Sequence, residues 1–468
     1  MLRLFRVNIP TRVAALLVSE FILISLCYLA ATFAWLRAGA EVFVTDDLGW
    51  LRILIVALCL LLSIYFHDLY SNFGTSPKEL VLQVGVIAGT AFLTEAMLGY
   101  LKLQQLMVPL RPMIAGSALN IVAFLGWRQF FSRVLLPKLH SEGVIFFGDS
   151  PLLHQIARHL KAHPEKGLTP LGFVTDLNPG DLIPGSHPDL VQRLGAISDL
   201  CQVVERLRPQ RIVVGLRERR SQLPVSELLE LRLSGIQIED ALSAYETTFG
   251  RISTQELRPS QFIFSASELG PNRASARVQT AYSMVIAALA VLLFAPVMLV
   301  VALLVKLTSP GPVLLRQQRV GKNKRTFTLY KFRSMVRDAE AQCGPVWAAR
   351  NDSRITPAGR WLRKLRLDEL PQLFNVLKGE MSIVGPRPER PEFVADHEKK
   401  IPYYRQRHCI KPGITGWAQI KHKYGDTHED ARMKLEYDLY YIKNLSPALD
   451  AIIIFHTAKV MLLSRGAQ

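Results

Sequence analysis

Two adjacent carboxylates, Asp368 and Glu369, stand in the segment RLDELPQLFNVLKGEM of a chain whose net charge is +17. The apolar residues that follow recur at helical spacing, which predicts a helix from about residue 369 with Asp368 at or near its N-cap. The simplest interpretation is a helix cap whose charges compensate the helix dipole. Two neighbouring acids also suit Mg²⁺, which takes hard oxygen ligands, and an ionised Asp near such a metal can attack phosphorus. The pair is therefore a candidate catalytic and metal-binding site.

Basic residues that could bind phosphate lie on both sides of this pair in the sequence. Lys331 and Arg333 stand at i, i+2 spacing in a predicted strand, RTFTLYKFRSM, and so share one face. Such a face is usually only solvated, but beside a carboxylate site it could hold a diphosphate. Arg387 stands between Pro386 and Pro388, which stiffen the backbone and aim the guanidinium.

The segment just before the acids is predicted to be a helix at an anionic membrane surface. Thr356 and Pro357 form a helix-start signature, with proline at the first helical position. The helix has an apolar face and basic flanks, formed by Trp361, Leu362 and Leu365 and by Arg360, Arg363, Lys364 and Arg366. This pattern is typical of interfacial helices. A helix packed on the domain core with solvated arginines is the alternative.

The N-terminal part of the chain is predicted to be a four-helix transmembrane unit, residues 1–139. Of the 468 residues, 49% are hydrophobic, and four apolar segments are long enough to span a bilayer: 13–36, 51–69, 81–101 and 109–131. A signal peptide ending near Ala38-Gly39-Ala40 is the alternative for the first, but its apolar run is too long for one. The flanking Arg and Lys residues place both ends of the unit in the cytoplasm.

Residues 140–255 are predicted to form a Rossmann-like cytosolic domain with a parallel sheet, because strand patterns alternate with helix patterns. A dinucleotide-binding loop would need G-x-G-x-x-G after the first strand. Here Gly148 is followed by Ser150 and Leu153 where the next two glycines belong. We therefore expect a degenerate domain with a structural, regulatory or altered nucleotide-binding role rather than NAD binding.

After a linker at 256–277, the apolar segment 278–308 carries Pro296 in its middle. Proline kinks or breaks a helix. A complete crossing would place the basic remainder outside the cell, against the positive-inside tendency. We therefore predict a re-entrant membrane helix broken at Pro296. A kinked spanning helix with an external C-terminal domain is the alternative. Residues 309–468 are predicted to form a small, mainly helical α+β catalytic domain.

The cysteine pattern and the positive charge limit the kinds of site and partner that the chain can have. The five cysteines are scattered and never form a C-x-x-C pair, which indicates neither a disulfide framework nor a zinc site: Cys27, Cys59, Cys201, Cys343 and Cys409. A high positive charge admits anionic lipid, phosphorylated substrates or nucleic acid as partners. There is no helix-turn-helix or zinc-finger signature, so nucleic acid is not expected.

Several motifs in fixed order across residues 278–468 resemble the bacterial sugar transferase family, the polyprenyl-phosphate hexose-1-phosphate transferases. They are KLTSPGPV, YKFRSM, LRLDELPQLFNVLKGEMSIVGPRP, KPGITGWAQI and YDLYYIKN. The four spans and the Rossmann-like domain resemble the large, multi-domain branch of that family. The opening MLRLFR is similar to members tied to exopolysaccharide export.

The resemblance implies transfer of a sugar-1-phosphate from a UDP-sugar to undecaprenyl phosphate, with release of UMP. It implies that Asp368 is the nucleophile of a phosphosugar-aspartyl intermediate and that Glu369 binds or assists Mg²⁺. The family's phosphate- or nucleotide-contacting positions fall on Arg363, Arg387, Lys331 and Arg333. Pro296 matches the helix-breaking proline of the family's re-entrant membrane helix.

The resemblance also implies a multi-pass protein of the bacterial inner membrane, with its middle and catalytic domains on the cytoplasmic side in contact with membrane lipids. Large members of the family suggest a homodimer. Two other functions stay open as alternatives. One is a catalytically inactive membrane scaffold or regulator, and the other is a nucleotide-sugar oxidoreductase that uses the middle domain.

Overall fold

The computed structural model divides the chain into two compact units, one holding the described residues from Asn8 to Glu239 and the other those from Asp240 onward. The residues that it describes are 2–4, 7–9, 11–67, 69–70, 77–135, 141–176, 192–216, 223–257, 273–336, 352, 354–422, 425 and 427–462. Two three-residue strands lie at the N-terminus, β1 (Leu2–Leu4) and β2 (Val7–Ile9). Cys343 falls outside the described residues, and the other four cysteines are free.

Apolar helices make up the first half of the first unit. They are α1 (Thr11–Leu36), α2 (Ala40–Thr45), α3 (Gly49–Phe66), α4 (Pro77–Tyr100) and α5 (Leu110–Phe130), with short 3-10 or π turns at Arg37–Gly39, Gln104–Leu106 and Phe131–Leu135. Four of them contain segments long and apolar enough to cross a membrane, and a fifth such segment, Ala274–Thr308, lies in the second unit. These segments identify a membrane-associated protein.

Helix α1 packs against α3 and α5, and the polar side chains between these helices bind one another. Arg128 forms a 2.6 Å ion pair with Glu20. The hydroxyls of Tyr28 and Ser117 are 2.8 Å apart. Pairing of this kind is what allows polar groups inside an apolar helix cluster.

The second half of the first unit is a five-stranded sheet with helices. Its elements are β3 (Glu142–Gly148), α6 (Pro151–Ala162), β4 (Leu168–Val174), β5 (Arg193–Gly195), α7 (Leu200–Leu207), β6 (Arg211–Gly215), α8 (Val225–Leu233) and β7 (Gln237–Asp240), with 3-10 turns at Pro164–Lys166 and Ile197–Asp199. The strand order is β5-β4-β3-β6-β7, and β3 pairs in parallel with both β4 and β6. In chain order within the sheet this is 3-2-1-4-5, the order of the first five of the six strands of a Rossmann fold, and it agrees with the predicted Rossmann-like sheet.

The second unit is mainly helical. Its helices are α9 (Ala241–Phe249), α10 (Arg273–Thr308), α11 (Pro357–Lys364), α12 (Gln372–Leu377), α13 (Pro391–Lys400), α14 (Trp417–Lys421), α15 (His428–Lys443) and α16 (Pro447–Leu462). Its strands are β8 (Leu314–Val320), β9 (Thr326–Phe332), β10 (Ser382–Val384) and β11 (Gly413–Thr415), and 3-10 helices lie at Lys322–Lys324, Leu367–Glu369 and Tyr404–Cys409.

Two small pairs of strands carry the residues that approach the acids. β8 and β9 pair antiparallel, with Leu315 opposite Lys331. β10 and β11 pair in parallel, with Val384 opposite Thr415. The core beneath them is formed by apolar side chains of α10, α12, α15 and α16, including Ala287, Val376 and Ile453, each fully buried. The site therefore rests on a packed core rather than on a free loop.

Helix α10 is one continuous helix in which Pro296 is an internal residue. No interruption of the helix is present at that proline, so the re-entrant form stays a prediction. One face of α10 packs on the rest of the second unit, where Met298, Val301 and Val305 contact Phe332 and Leu362. The opposite side exposes large apolar side chains along its length. They are Val285, Leu289, Leu292, Leu293, Leu299, Val300, Leu303 and Leu307.

Candidate active site

A sharp turn rather than a helix start positions Asp368 and Glu369. After α11 the backbone of Arg366 adopts the left-handed conformation (φ 54°), and a 3-10 helix then covers Leu367–Glu369. Helix α12 begins only at Gln372, after Pro371, and has no side-chain cap. The prediction that Asp368 caps this helix and that Glu369 opens it is therefore wrong. The turn leaves both carboxylates buried, at 8% and 9% exposure.

Three cations surround the Glu369 carboxylate. Its Oε1 accepts hydrogen bonds from Lys331 Nζ at 3.1 Å and from Arg387 at 2.9 Å. The Arg366 guanidinium lies 3.9 Å from Oε2, which is close enough for an ion pair but too far for a hydrogen bond. Burial raises the pKa of Glu369, but the charges of Lys331, Arg387 and Arg366 outweigh it and hold the pKa well below its usual range. Glu369 is therefore a fixed anion.

Asp368 lies in a different electrostatic environment from its neighbour. Burial and the adjacent Glu369 charge raise its pKa to about 6, although Lys331, Arg363 and Arg387 act in the opposite direction. Within the described part of the chain, its carboxylate has no hydrogen-bond partner. An ionised oxygen with no donor bound to it keeps its lone pairs available. Asp368 thus has the properties of a nucleophile at neutral pH.

Strand β9 and the turn after β10 bring the two donors to Glu369. Lys331 stands next to the end of β9, and Arg387 follows β10 between its two prolines. Arg407 fixes the backbone of Arg387, because the Arg407 guanidinium donates to the Arg387 carbonyl oxygen at 3.1 Å. Arg407 is itself buried and forms a 2.9 Å ion pair with Asp438. Sequence reasoning did not single out Arg407, whose distance from the acids in the chain gives no local signal.

The structure does not bring Arg333 to the acids, so its predicted place beside Lys331 is corrected. β9 ends at Phe332, and the alternation that would align the two basic side chains ends with it. The Arg333 guanidinium donates instead to the Ser309 carbonyl oxygen at 2.7 Å and to that of Pro310 at 2.9 Å. These carbonyls follow the last turn of α10. Arg333 therefore binds the C-terminal end of the apolar helix.

Helix α11 begins as predicted, with the Thr356 hydroxyl accepting from the Gly359 amide at 2.9 Å. Leu362 is buried against α10, whereas Trp361 and Leu365 are 66% and 46% exposed. The predicted apolar face is therefore divided between core and surface. Arg363 is half-buried in the last turn, and its charge lowers the pKa of Asp368.

The acid pair fits a divalent metal by its chemistry. Mg²⁺ binds one or two carboxylates together with substrate phosphates. Glu369 Oε1 is occupied by two cationic donors, but among the described residues Oε2 has no hydrogen bond, and neither has the Asp368 carboxylate. These oxygens could serve as metal ligands while Lys331 and Arg387 keep Glu369 in place.

The end of β3, where a dinucleotide loop would lie, is arranged differently. The backbone amides of Asp149 and Ser150 both donate to the Gly215 carbonyl oxygen, at 3.2 and 3.0 Å. Gly148 has φ +108°, and a Cβ there would lie 2.5 Å from the same oxygen. The glycine thus permits close contact between two strands, and these two loop amides are already used.

Both ends of α10 are fixed to the rest of the second unit. Near its start, the buried Gln279 side-chain nitrogen lies 2.8 Å from Asp450 Oδ2 and 2.6 Å from the Tyr441 hydroxyl. Tyr441 donates to the other Asp450 oxygen at 2.6 Å. Beyond its end, Arg333 holds the chain at Ser309. The apolar helix therefore lies along a single compact unit.

The family model and the relatives that match this chain point to the same protein family. The model of the bacterial sugar transferase family matches residues 274–464. A UDP-N-acetylgalactosamine-undecaprenyl-phosphate N-acetylgalactosaminephosphotransferase of Aeromonas hydrophila is 44% identical over 241 residues, 52% of this chain and 56% of that relative. With this relative, the chain thus spans only about half of the relative's length.

Two further relatives are covered more completely. The UDP-glucose:undecaprenyl-phosphate glucose-1-phosphate transferase of Xanthomonas campestris pv. campestris is 34% identical over 71% of this chain and 69% of its own length. The protein of the same name in Klebsiella pneumoniae is 34% identical over 72% of this chain and 71% of its own. The family predicted from the motifs is thereby confirmed, and the chain belongs to the bacterial sugar transferases.

Proposed function

We propose that the protein transfers a sugar-1-phosphate from a UDP-sugar to undecaprenyl phosphate, releases UMP, and so starts the assembly of an exopolysaccharide or a related glycan. The names of the relatives from Aeromonas, Xanthomonas and Klebsiella support both the acceptor and the type of reaction. A relative from Rhizobium leguminosarum bv. phaseoli, 47% identical over 38% of this chain, is named an exopolysaccharide production protein.

The observation that carries this proposal is the contrast between the two acids. Asp368 is buried, has no hydrogen bond among the described residues, and has its pKa raised to about 6 by burial and by Glu369. It is therefore ionised at neutral pH yet poorly solvated. Glu369, held by Lys331 and Arg387, fixes the cations beside it. A nucleophile next to fixed cations suits attack on a diphosphate.

In the first step, an Asp368 carboxylate oxygen attacks the phosphorus that carries the sugar. The bond from that phosphorus to the bridging oxygen breaks, its electrons stay on the bridging oxygen, and UMP leaves. The sugar-1-phosphoryl group is then bound to Asp368 as an acyl phosphate. Lys331, Arg387 and Arg363 would neutralise the phosphoryl charge, and in support of this role the positive charge of each lowers the pKa of Asp368.

In the second step, a phosphate oxygen of undecaprenyl phosphate attacks the same phosphorus. The bond to the Asp368 oxygen breaks, the carboxylate is regenerated, and undecaprenyl-diphosphate sugar is formed. A covalent intermediate lets one site serve a soluble donor and a membrane-bound acceptor in turn. Atoms and charge balance without an oxidant or reductant.

The oxygens of Asp368 and Glu369 that lack hydrogen bonds would hold Mg²⁺ together with the donor diphosphate. The ion would supply electrostatic neutralisation of the phosphate oxygens. Glu369 would contribute through its Oε2 oxygen, because Oε1 is bound by Lys331 and Arg387.

The proposed location is the bacterial inner membrane, with the middle domain (residues 140–255) and the catalytic domain (residues 309–468) on the cytoplasmic side and with α10 re-entrant. Contacts at the two ends of α10 support this topology. Gln279 binds Asp450 near one end, and Ser309 binds Arg333 just beyond the other, all within one compact unit. A helix crossing the roughly 30 Å apolar layer would separate its ends across the membrane.

A homodimer is also part of this proposal.

The two alternatives have less support. A nucleotide-sugar oxidoreductase would need loop amides for a pyrophosphate, and those of Asp149 and Ser150 bind Gly215. An inactive scaffold would have no need for a buried acid pair with three adjacent cations, since such a pair costs free energy to bury.

Release of UMP tests the proposed function. Membranes containing the protein are incubated with a panel that includes UDP-glucose and UDP-N-acetylgalactosamine, the donors named for relatives. UMP should be released over many turnovers only when undecaprenyl phosphate is supplied, because without the acceptor each protein molecule releases at most one UMP. Asp368→Asn should abolish both the single and the repeated release. Repeated turnover to UMP without the acceptor, or full activity in Asp368→Asn, would contradict the assignment.

A further inference from the structure

An apolar cavity of about 170 Å³ lies directly beside the acid pair, within the second unit. Its wall is formed by α10, the segment from β11 to α14, the end of α16, and the segment from Arg366 to Leu373. The apolar side chains that line it include Ala290, Phe294, Ile414, Ile420, Val460 and Met461. One end of the cavity carries Glu369 and Arg366, so that a polar end and an apolar body meet at the site.

The cavity is suited to hydrocarbon rather than to a sugar or a nucleotide. A hydroxylated ligand there would lose hydrogen bonds to water and find few partners on the mainly apolar wall, where Gln419 Oε1 is a buried acceptor without a hydrogen bond among the described residues. Two of the polar side chains that face it, Thr415 and Thr457, bind one another at 2.6 Å. The volume is close to the roughly 150 Å³ in which an apolar cavity binds benzene. One isoprene unit is of similar size.

The cavity also has access to the lipid-facing surface. Phe294 and Met461, which line it, are 38% and 40% exposed. Phe294 belongs to α10, whose outer side carries the exposed apolar residues that would face lipid. A lipid chain could therefore enter from the membrane and reach the acids without crossing a polar surface.

Arg366 has the properties of a residue that could bind a phosphate other than that of the donor. Of the three cations around Glu369, Lys331 and Arg387 are at hydrogen-bond distance, whereas Arg366 is 3.9 Å away. Its left-handed backbone places it at the turn just before Leu367–Glu369. Among the described residues its guanidinium makes no hydrogen bond, so its donors are available to an anion.

We propose that this cavity binds the isoprene unit next to the phosphate of the polyprenyl phosphate acceptor, and that Arg366 binds that phosphate. The inference rests on the proposed function, since it names where one of its two substrates binds. It separates the substrates in space. The donor diphosphate meets Lys331, Arg363 and Arg387, whereas the acceptor approaches from the side of α10 and Arg366.

Filling the cavity tests the proposal. Ile420→Trp and Met461→Trp place a large ring in the body and at the exposed rim, respectively, and Leu292→Trp adds the same ring on the 76% exposed outer side of α10 as a control. The KM for undecaprenyl phosphate and the KM for the UDP-sugar are measured on purified, detergent-solubilised protein. Excluding one isoprene unit should raise the acceptor KM by about tenfold or more.

The donor half-reaction provides the internal control. Each cavity variant should release the wild-type amount of UMP in a single turnover without acceptor, and its KM for the UDP-sugar should stay within about twofold. Arg366→Gln should also raise the acceptor KM, with both undecaprenyl phosphate and farnesyl phosphate. Leu292→Trp should change neither constant. The rim variant Met461→Trp keeps the test valid if Ile420→Trp fails to fold.

Two results would overturn the inference. One is an unchanged acceptor KM in the folded cavity variants, and the other is a cavity variant that impairs the donor half-reaction. Failure of the proposed function itself looks different, because wild-type protein would then transfer nothing to undecaprenyl phosphate.

Discussion

Asp368 and Glu369 are neighbours in the chain, yet their surroundings move their pKa values in opposite directions. Burial and the Glu369 charge raise the pKa of Asp368 to about 6. Glu369 is also buried, but Lys331, Arg387 and Arg366 lower its pKa. This division assigns one acid to the reacting atom and the other to the framework that holds the cations.

This difference in pKa predicts that neutralising Asp368 and neutralising Glu369 change the free energy of unfolding in opposite directions. The pKa of Asp368 rises from 3.8 to about 6 on folding, so the folded protein binds this proton more tightly and loses stability as pH rises through that window. At about pH 8, Asp368→Asn should therefore increase the free energy of unfolding, by at most about 3 kcal/mol at 1.36 kcal/mol per pKa unit. The gain should vanish near pH 4. Thermal unfolding at the two pH values measures it.

Glu369→Gln is the matched variant. The lowered pKa of Glu369 means that its charge contributes stability above the usual pKa of 4.5, which is lost as pH falls through the lower, folded-state value. The variant should lose about 3 kcal/mol at neutral pH, because Lys331 and Arg387 would lack their anion. Equal effects of the two variants would contradict the division.

The two basic residues of the YKFRSM motif should also differ. Lys331→Gln should raise the KM for the UDP-sugar and reduce turnover by about tenfold or more, because Lys331 lies at Glu369. Arg333→Gln should leave that KM within about twofold and lower the thermal unfolding temperature, because Arg333 binds the carbonyls of Ser309 and Pro310. Steady-state kinetics and thermal unfolding of both variants check this. A similar rise in KM for both would restore Arg333 to the site.

At the scale of elements, α10 joins the membrane to the chemistry. Its inner face packs on the strand that carries Lys331, and its outer face is apolar and exposed. The polar cluster of Gln279, Tyr441 and Asp450 fixes its start. The position of the acids relative to the lipid surface therefore depends on this cluster.

Removing the Gln279 amide should loosen that attachment. Gln279→Leu removes one donor each from Asp450 and the Val384 carbonyl oxygen, although the hydroxyls of Tyr282 and Tyr441 still donate to Asp450; the loss costs about 1–3 kcal/mol. The thermal unfolding temperature should fall by several degrees. Val278→Ala, at the neighbouring half-exposed position, should change it little. An unchanged unfolding temperature in Gln279→Leu would show that the cluster does not hold the helix.

The sequence predicted elements better than it predicted their ends. The start of α11 followed from Thr356 and Pro357, whose local chemistry determines the cap. The start of α12 did not, because the left-handed turn before it lies at Arg366 and not at a glycine, the residue that would indicate such a turn in the sequence. Arg333 was misplaced for a related reason. Strand alternation holds only while the strand continues, and β9 ends one residue earlier.

At the scale of the whole molecule, the five apolar segments and the five-stranded parallel sheet agree with the prediction. Long apolar runs and alternating strand and helix patterns are strong signals because each extends over many residues. Arg407 and Arg366 were not predicted as site residues, since Arg407 acts through the Arg387 carbonyl and Arg366 was counted with the basic flank of α11. Contacts between distant segments give no pattern in one sequence.

The orientation of α10 in the membrane is a prediction at this scale. Ser275→Cys and Pro310→Cys place single thiols near its two ends, in a background without the native cysteines. If α10 is re-entrant, a membrane-impermeant maleimide should label both thiols from the cytoplasmic side only. Both should then react in inverted vesicles and neither in right-side-out vesicles. Labelling from opposite sides would establish a spanning helix.

The central claim, that Asp368 carries the sugar phosphate during transfer, is tested most directly by the intact mass of the purified protein. After incubation with a UDP-sugar and no acceptor, the mass should increase by one sugar-phosphoryl group with release of an equal amount of UMP. Undecaprenyl phosphate should then remove the added mass. Asp368→Asn should show no adduct. Transfer to the acceptor without any adduct, or an adduct in Asp368→Asn, would contradict the account.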